Sequence, residues 1–556
     1  MRRTVRPLIA ATLLPLAACA GEEGLPETPP DEALAAITPD GIAAAVRDLS
    51  ADSMEGRAPA SLGEERTVAY LKRQFEALGL EPGNGDSWFQ EVSLVSITAD
   101  PDMRPEVRGR GTVNRLAYGD DFVAVTERVV DEVALDASDL VFVGYGVVAP
   151  EYGWNDYEGL DVHGKTVVTL VNDPGYATGD SALFGGRAMT YYGRWTYKYE
   201  EAARQGADGV LIVHQTGPAG YPWAVVQGGW SGPQFGLATD EAAPPLTKVE
   251  GWISQETART IFAQAGLDFD GQAARAATRE FEAVPLGLTL SVDIRNQIRR
   301  SNSRNVLARL PGSEAPDELI IYTAHWDHLG RDPNLEGDQI YNGALDNASG
   351  TAGLLAVARA FTSLPRAPRR SVLFLAVTAE EQGLLGSAYY ASHPVYPLAR
   401  TVATINMDGL NIWGPTRDLT VVGFGNSELD DVLVSAAEAA GRVVRPDPEP
   451  EKGFFYRSDQ FEFAKMGVPS LYADPGIDDI EHGEAWGRAR RDEYTAERYH
   501  KPSDEYDESW DLRGGVEDLR LLFTVGYRLA TGTAFPNWRE GNEFRALRDA
   551  MMTPAD

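Results

Sequence analysis

Along the chain, stretches whose apolar residues recur every three or four positions give way to short runs that are apolar almost throughout, and the texture changes more than once. From Asp40 to about Leu94 helical spacing dominates: "GIAAAVRDLSA" and "GEERTVAYLKRQFEALGL" each place their apolar residues on one face, and the second stops at Gly79. From about Ala134 to Leu288 the runs become short and β-branched, as in "DLVFVGYGVV" and "KTVVTLV", with one amphipathic helix, "TYKYEEAARQGA", leading into "GVLIVH". From Asn305 strands and helices alternate: "ELIIYTA", "TAGLLAVARAFTSL", "SVLFLAVTA", "TVATINM", "DLTVVGF" and "VPSLYAD". Nearly continuous apolar runs are what a sheet covered on both faces requires. The pattern predicts a three-layer α/β/α sandwich on a mostly parallel mixed sheet, with an inserted, smaller, mostly-β domain.

The expected divisions are 37–133 for an amino-terminal helical part of the main domain, 134–290 for the insertion and 291–550 for the rest of the main domain. The start of the chain stands apart. Arg2, Arg3 and Arg6 precede an apolar run from Leu8 to Ala18 that is too short to span a bilayer, so residues 1–19 read as an export signal. Leu16-Ala17-Ala18-Cys19 resembles a bacterial lipobox, and Cys19 is the single cysteine of the chain. The expectation is an exported lipoprotein held in the outer membrane, facing the periplasm, by a lipid on Cys19; cleavage after Ala20 is the competing reading. Residues 20–36, rich in Pro, Gly and Glu, suit a flexible tether. One cysteine excludes an internal disulfide. The net charge of −33 repels phosphate backbones, so no nucleic-acid partner is expected, and metal cations or cationic substrates are favoured. The lipid anchor is the one membrane contact anticipated, and the oligomeric state is open.

Three of the strand-like runs end in residues able to hold a metal: "LIIYTA" in His325, "VLFLAVTA" in Glu380 and Glu381, and "VATIN" shortly before Asp408. Ligand crevices in open α/β sheets lie beyond the carboxyl ends of the strands, so these residues can converge. In "HWDHLG", a histidine followed by Asp327 suits a metal ligand whose other ring nitrogen is held by a carboxylate, and equally a polar loop; His328 reads as supporting that loop. Asp346, in "NGALDNASGTAGLL", is either a helix cap or a carboxylate shared between two cations. Thr378-Ala379-Glu380-Glu381 also fits a capping box. His500, in "ERYHKPSDEYD", sits in a polar loop with His482 as its competitor, and His163 and His214 read as structural.

Taken in order, "TAHWDHLG", "NGALDNASG", "AEEQGLLGS", "INMDG" and "YHKPSDEYD" resemble the co-catalytic zinc exopeptidases, which include bacterial leucyl-type aminopeptidases and glutamate carboxypeptidase. The resemblance runs from about Asn305 to Trp510; the segment "LSADSMEGRAPASLGEERTVAYLKRQFEALGLEP" is similar to the amino-terminal part of bacterial members, and the insertion resembles a protease-associated domain. It implies two zinc ions, with cobalt or manganese as alternatives: His325 and Asp408 on one, Glu381 and His500 on the other, and Asp346 bridging. Glu380 would be the general base, with Asp327 orienting His325. "GFFYRSDQFEFAKMGVPSLY" resembles a segment bordering the substrate pocket, with Phe455 or Tyr456 facing the substrate and Ser458 and Asp459 in its framework. The implied activity is that of an aminopeptidase on peptides with a free N-terminus. A carboxypeptidase or dipeptidase on the same core would need a cation for the terminal carboxylate, and Arg457 is the candidate. A single-zinc glutaminyl cyclase and a non-catalytic receptor-like binder are further alternatives, against which the complete ligand set argues.

Overall fold

The computed structural model describes residues 28–238 and 245–553, so the expected export signal, Cys19 and much of the expected tether lie outside the described residues. The first long helices form where the spacing places them. Thr38 and Ser61 accept the N–H groups of Gly41 and Glu64, capping Pro39–Leu49 and Leu62–Ala77, and the chain leaves the second helix through Gly79 at a φ of 76°.

The central sheet is mixed. Its strands lie in the order Pro233–Leu237, Phe89–Ala99, Val284–Leu310, Arg370–Val377, Ala315–His325, Thr401–Asn406, Ser470–Pro475, Asp418–Val422 and Val443–Pro446. The four from Arg370–Val377 to Ser470–Pro475 are parallel. Their side chains explain the unbroken apolar runs: Ile320, Tyr322 and Ala324 join one hydrophobic cluster, while Leu319 and Ile321 join the cluster on the opposite face. The first cluster takes in helices Pro39–Leu49, Gly350–Thr362 and Arg513–Thr531; the second takes in Tyr390 and Phe463 from short helices behind the sheet. Helices thus cover both faces, as expected. The strand Ala315–His325 has neighbours reached by connections to either side, which puts the switch in strand order, and the crevice it opens, at His325.

Residues between Ala99 and Ile294 build hydrophobic clusters of their own around parallel strands Glu132–Phe142, Thr166–Leu170, Gly209–His214 and Val249–Ser254. Two differences from the sequence reading stand out. Phe122–Val125 pairs with Glu250–Ile253, and Glu106–Gly109 with the start of the long strand, so these residues join the second unit rather than the amino-terminal part ending at 133. Besides the anticipated helix Trp195–Arg204, helices Gln255–Gln264 and Phe269–Ala276 pack there, because each buries a stripe the β-branched texture conceals: Ile261 and Phe262 in one, Phe269 and Ala276 in the other. The strand Val284–Leu310 belongs to both units, pairing first with Glu132–Phe142 and then with Phe89–Ala99 and Arg370–Val377.

Candidate metal centre

Six residues from five separate segments meet at the carboxyl ends of the parallel strands. His325 closes its strand, Asp408 follows Thr401–Asn406 by two residues, and Glu380 and Glu381 lie in the turn after Arg370–Val377. Asp346 lies in the turn Ala344–Ser349, with a cis peptide bond to Asn347, and His500 follows helix Glu484–Glu497 at a φ of 57°. His325 Nε2 stands 3.3 Å from Asp408 Oδ1 and 3.4 Å from Asp346 Oδ1; the other Asp346 oxygen, Oδ2, is 3.1 Å from His500 Nε2, which is 3.0 Å from Glu381 Oε2. One carboxylate therefore divides its oxygens between two imidazoles. Glu380 Oε2 lies 3.9 Å from His325 Nε2, at the edge of the same group. Among the described residues, two sets of donor atoms fall close enough to share an ion, His325 with Asp346 and Glu381, and His325 with Glu380 and Asp408.

Local structure holds these groups. The anticipated capping box does not form: Ala379 and Leu384 take left-handed φ of 53° and 61°, the helix starts only at Leu385, and Thr378 bonds Ser303 instead. The turn so made lets Glu380 and Glu381 point apart. Nor does Asp346 cap the helix that follows; Asn347 Oδ1 accepts from Gly350 and Gly409 N–H, leaving Asp346 free for the crevice. Asp327 also departs from expectation. Its carbonyl oxygen, at 3.2 Å, is nearer to His325 Nδ1 than its carboxylate, at 3.8 Å, and the carboxylate takes the Glu380 N–H at 3.2 Å. It anchors the turn bearing Glu380 as much as the histidine.

Sequence reasoning missed one support, Asp504, and read another, His328, as supporting its own loop alone. His328 Nδ1 bonds Glu381 Oε1, and Asp504 accepts the N–H groups of Leu345 and Asp346 while Tyr494 donates to it. The signal was present in both cases, since His328 stands in "HWDHLG" and Asp504 in "YHKPSDEYD". Of the pocket candidates, Ser458 donates to Asp408 Oδ2 at 2.7 Å, and Asp459 accepts from Ser387 at 2.7 Å. Phe455 and Tyr456 are turned into an aromatic cluster with Phe461, Trp538 and Phe544, where the Tyr456 hydroxyl donates to Glu543. Arg457 is exposed, with its guanidinium over the ring of Phe454. His482 sits on Asp479 and Trp486, His163 on Asp161, and His214 on the carbonyl of Tyr221.

The electrostatics are those of a crowded anionic crevice. Burial, reinforced by Asp408 and Glu381 and opposed by His325, pushes Glu380 well above the ordinary carboxylate range. Burial likewise lifts Asp327 and Asp459 to about 7. Burial alone would lower His325, but Glu380, Asp346 and Asp408 outweigh it and hold the imidazole well above its usual value. Imidazole nitrogens and carboxylate oxygens turned toward one another in this number suit divalent cations of the zinc type.

Residues 305–523 match Peptidase family M28. Aminopeptidase NAALADL1 of Rattus norvegicus is 36% identical over 159 residues, which are 28% of this chain and 19% of that protein. Aminopeptidase YwaD of Bacillus subtilis is 28% identical over 185 residues, 32% of this chain and 38% of that one. The match thus spans about a fifth of the length of the first relative and well under half of the second. A solved aminopeptidase from Aneurinibacillus sp. strain AM-1 aligns over 91% of this chain and 97% of its own, at 18% identity and a TM-score of 0.48. The segment 305–523, which carries every candidate ligand, is the part of the chain that is similar to peptidase family M28.

Proposed function

We propose that the protein is a zinc-dependent aminopeptidase that removes residues from the free N-terminus of peptides at a two-metal centre. The observation that carries this reading is the split of Asp346 between His325 and His500, each already beside a further carboxylate. His325 and Asp408 would hold one zinc, Glu381 and His500 the other, with Asp346 shared. Bound there, zinc supplies Lewis acidity that polarises the scissile carbonyl and eases deprotonation of water.

The chain's own groups do the rest. Glu380 takes a proton from the attacking water and delivers it to the departing amine, a role suited to a buried carboxylate whose proton affinity its neighbours raise. Asp327, bonded to the Glu380 N–H, keeps that turn in place. Ser458, itself accepting from Asn406, fixes the Asp408 carboxylate. A crevice lined by Asp346, Glu380, Glu381 and Asp408 attracts a substrate's α-ammonium group.

A carboxypeptidase reading draws on Arg457, exposed one residue from Ser458. Metal analysis of the purified protein, with free and N-acetylated aminoacyl amides compared as substrates, separates the two. The aminopeptidase reading expects bound zinc and cleavage of the free amine alone; equal cleavage of both would overturn it. The export signal, the lipid on Cys19, the outer-membrane location and the protease-associated character of the insertion are proposed from the sequence alone.

A further inference from the structure

Helix Pro39–Leu49 is followed by "DSMEGR", a tight turn in which Glu55, Gly56 and Arg57 all have positive φ, of 50°, 67° and 53°. A Cβ on Gly56 would lie 2.2 Å from the carbonyl oxygen of Gly330, so glycine is what lets the turn press against the loop after His325. The Arg57 side chain is fully buried. Its Nε donates to the carbonyl of Trp326 at 2.9 Å, Nη1 to Leu49 at 2.8 Å and Asn342 at 2.5 Å, and Nη2 to Gly343 at 2.8 Å. The backbone of Arg57 also accepts the His328 N–H. Trp326 lies between His325 and Asp327, and Asn342 and Gly343 lead into the turn bearing Asp346.

A buried guanidinium normally faces a carboxylate, because its desolvation is otherwise poorly offset. Here its hydrogen-bond partners are backbone carbonyls, and the compensating charges are Asp346, Asp504, Asp327 and Glu381 of the centre itself. We propose that Arg57 is a positioning residue for the metal centre: its four-way fork sets the His325–Asp327 loop against the Asp346 turn before any cation binds. The inference rests on the metal-centre reading above. Position and charge act in opposite directions, since a cation behind the ligands repels a dication, and in the proposal position prevails.

Arg548 provides the control. It is buried as deeply and donates to the carbonyls of Leu398 and Thr401, outside the centre. Zinc dissociation constants, measured by chelator competition, and melting temperatures of the metal-free protein are to be compared for wild type, Arg57→Lys, Arg57→Met and Arg548→Lys. All three variants are expected to melt lower. Only those at Arg57 are expected to bind zinc at least about tenfold more weakly, the lower end for groups that orient metal ligands. Unchanged affinity in folded Arg57 variants, or tighter binding by Arg57→Met, would overturn the proposal, whereas a wild type that binds no zinc would overturn the metal-centre reading instead. Should no Arg57 variant fold, amide exchange in metal-free wild type decides: slow exchange at 326–328 and 343–346 is expected, and exchange as fast as in unstructured chain there would refute a pre-set geometry.

Discussion

Asp346 and the adjacent glutamates show how much individual roles depend on what lies across the crevice. Glu381 is gripped by His328 and His500, while Glu380 is tied through its N–H to Asp327 and leaves its carboxylate at the edge of the donor group. Glu380→Gln should therefore keep its metal and lose about 10²- to 10⁴-fold in turnover, as removal of a general base does. Metal analysis beside steady-state kinetics checks both halves. Glu381→Ala should instead release metal, seen as a raised zinc dissociation constant, and Ser458→Ala, which frees Asp408 Oδ2, should cost about 10- to 100-fold in affinity or activity. The candidate ligands that the structure brings together were legible in the sequence because each ends or follows a readable strand or motif. Arg57 was not, because its role lies in which backbone groups it meets, and those at Trp326, Asn342 and Gly343 come from segments far away in sequence.

Strands and long helices were legible for a related reason: their periodicity records which faces are buried. The turn 378–384 was not, since the S/T-x-x-E pattern fits a cap as well as it fits a strand-to-helix turn with two left-handed residues. Gly386 seals that turn. A Cβ there would stand 2.2 Å from the carbonyl oxygen of Thr378 and 2.6 Å from Asn305 Oδ1, so Gly386→Ala should destabilise the fold by about 1–3 kcal/mol, measured by denaturant unfolding. Helix Leu429–Ala439 offers a test by pH. Burial pushes Asp430 up to about 6 although its carboxylate accepts the Gly425 N–H. Between about pH 4 and 6 the folded state then keeps a proton that the unfolded chain, with a value near 3.9, has released, so this group's contribution falls as pH rises through the window. Asp430→Asn should flatten the stability profile there, by up to about 1.4 kcal/mol per pH unit, in thermal melts taken at successive pH values.

At the scale of the whole molecule, the strand Val284–Leu310 runs through both units, and a second junction lies beside the pocket segment. Met189 N–H bonds the Pro450 carbonyl, and the Tyr191 ring meets Tyr456, Phe461 and Phe544. The expected border at 134 misplaced the early strands because short β-branched runs carry no record of their pairing partner; only the folded register shows that Phe122–Val125 closes the second unit's sheet. The candidate donors themselves all lie within residues 305–523, the segment that matches family M28. The most direct test strips the purified protein of metal with a chelator and restores zinc stepwise while following release of the N-terminal residue from an unblocked peptide. No turnover is expected in the stripped protein and full recovery at two zinc ions per chain; undiminished turnover without metal would contradict a metal-dependent centre.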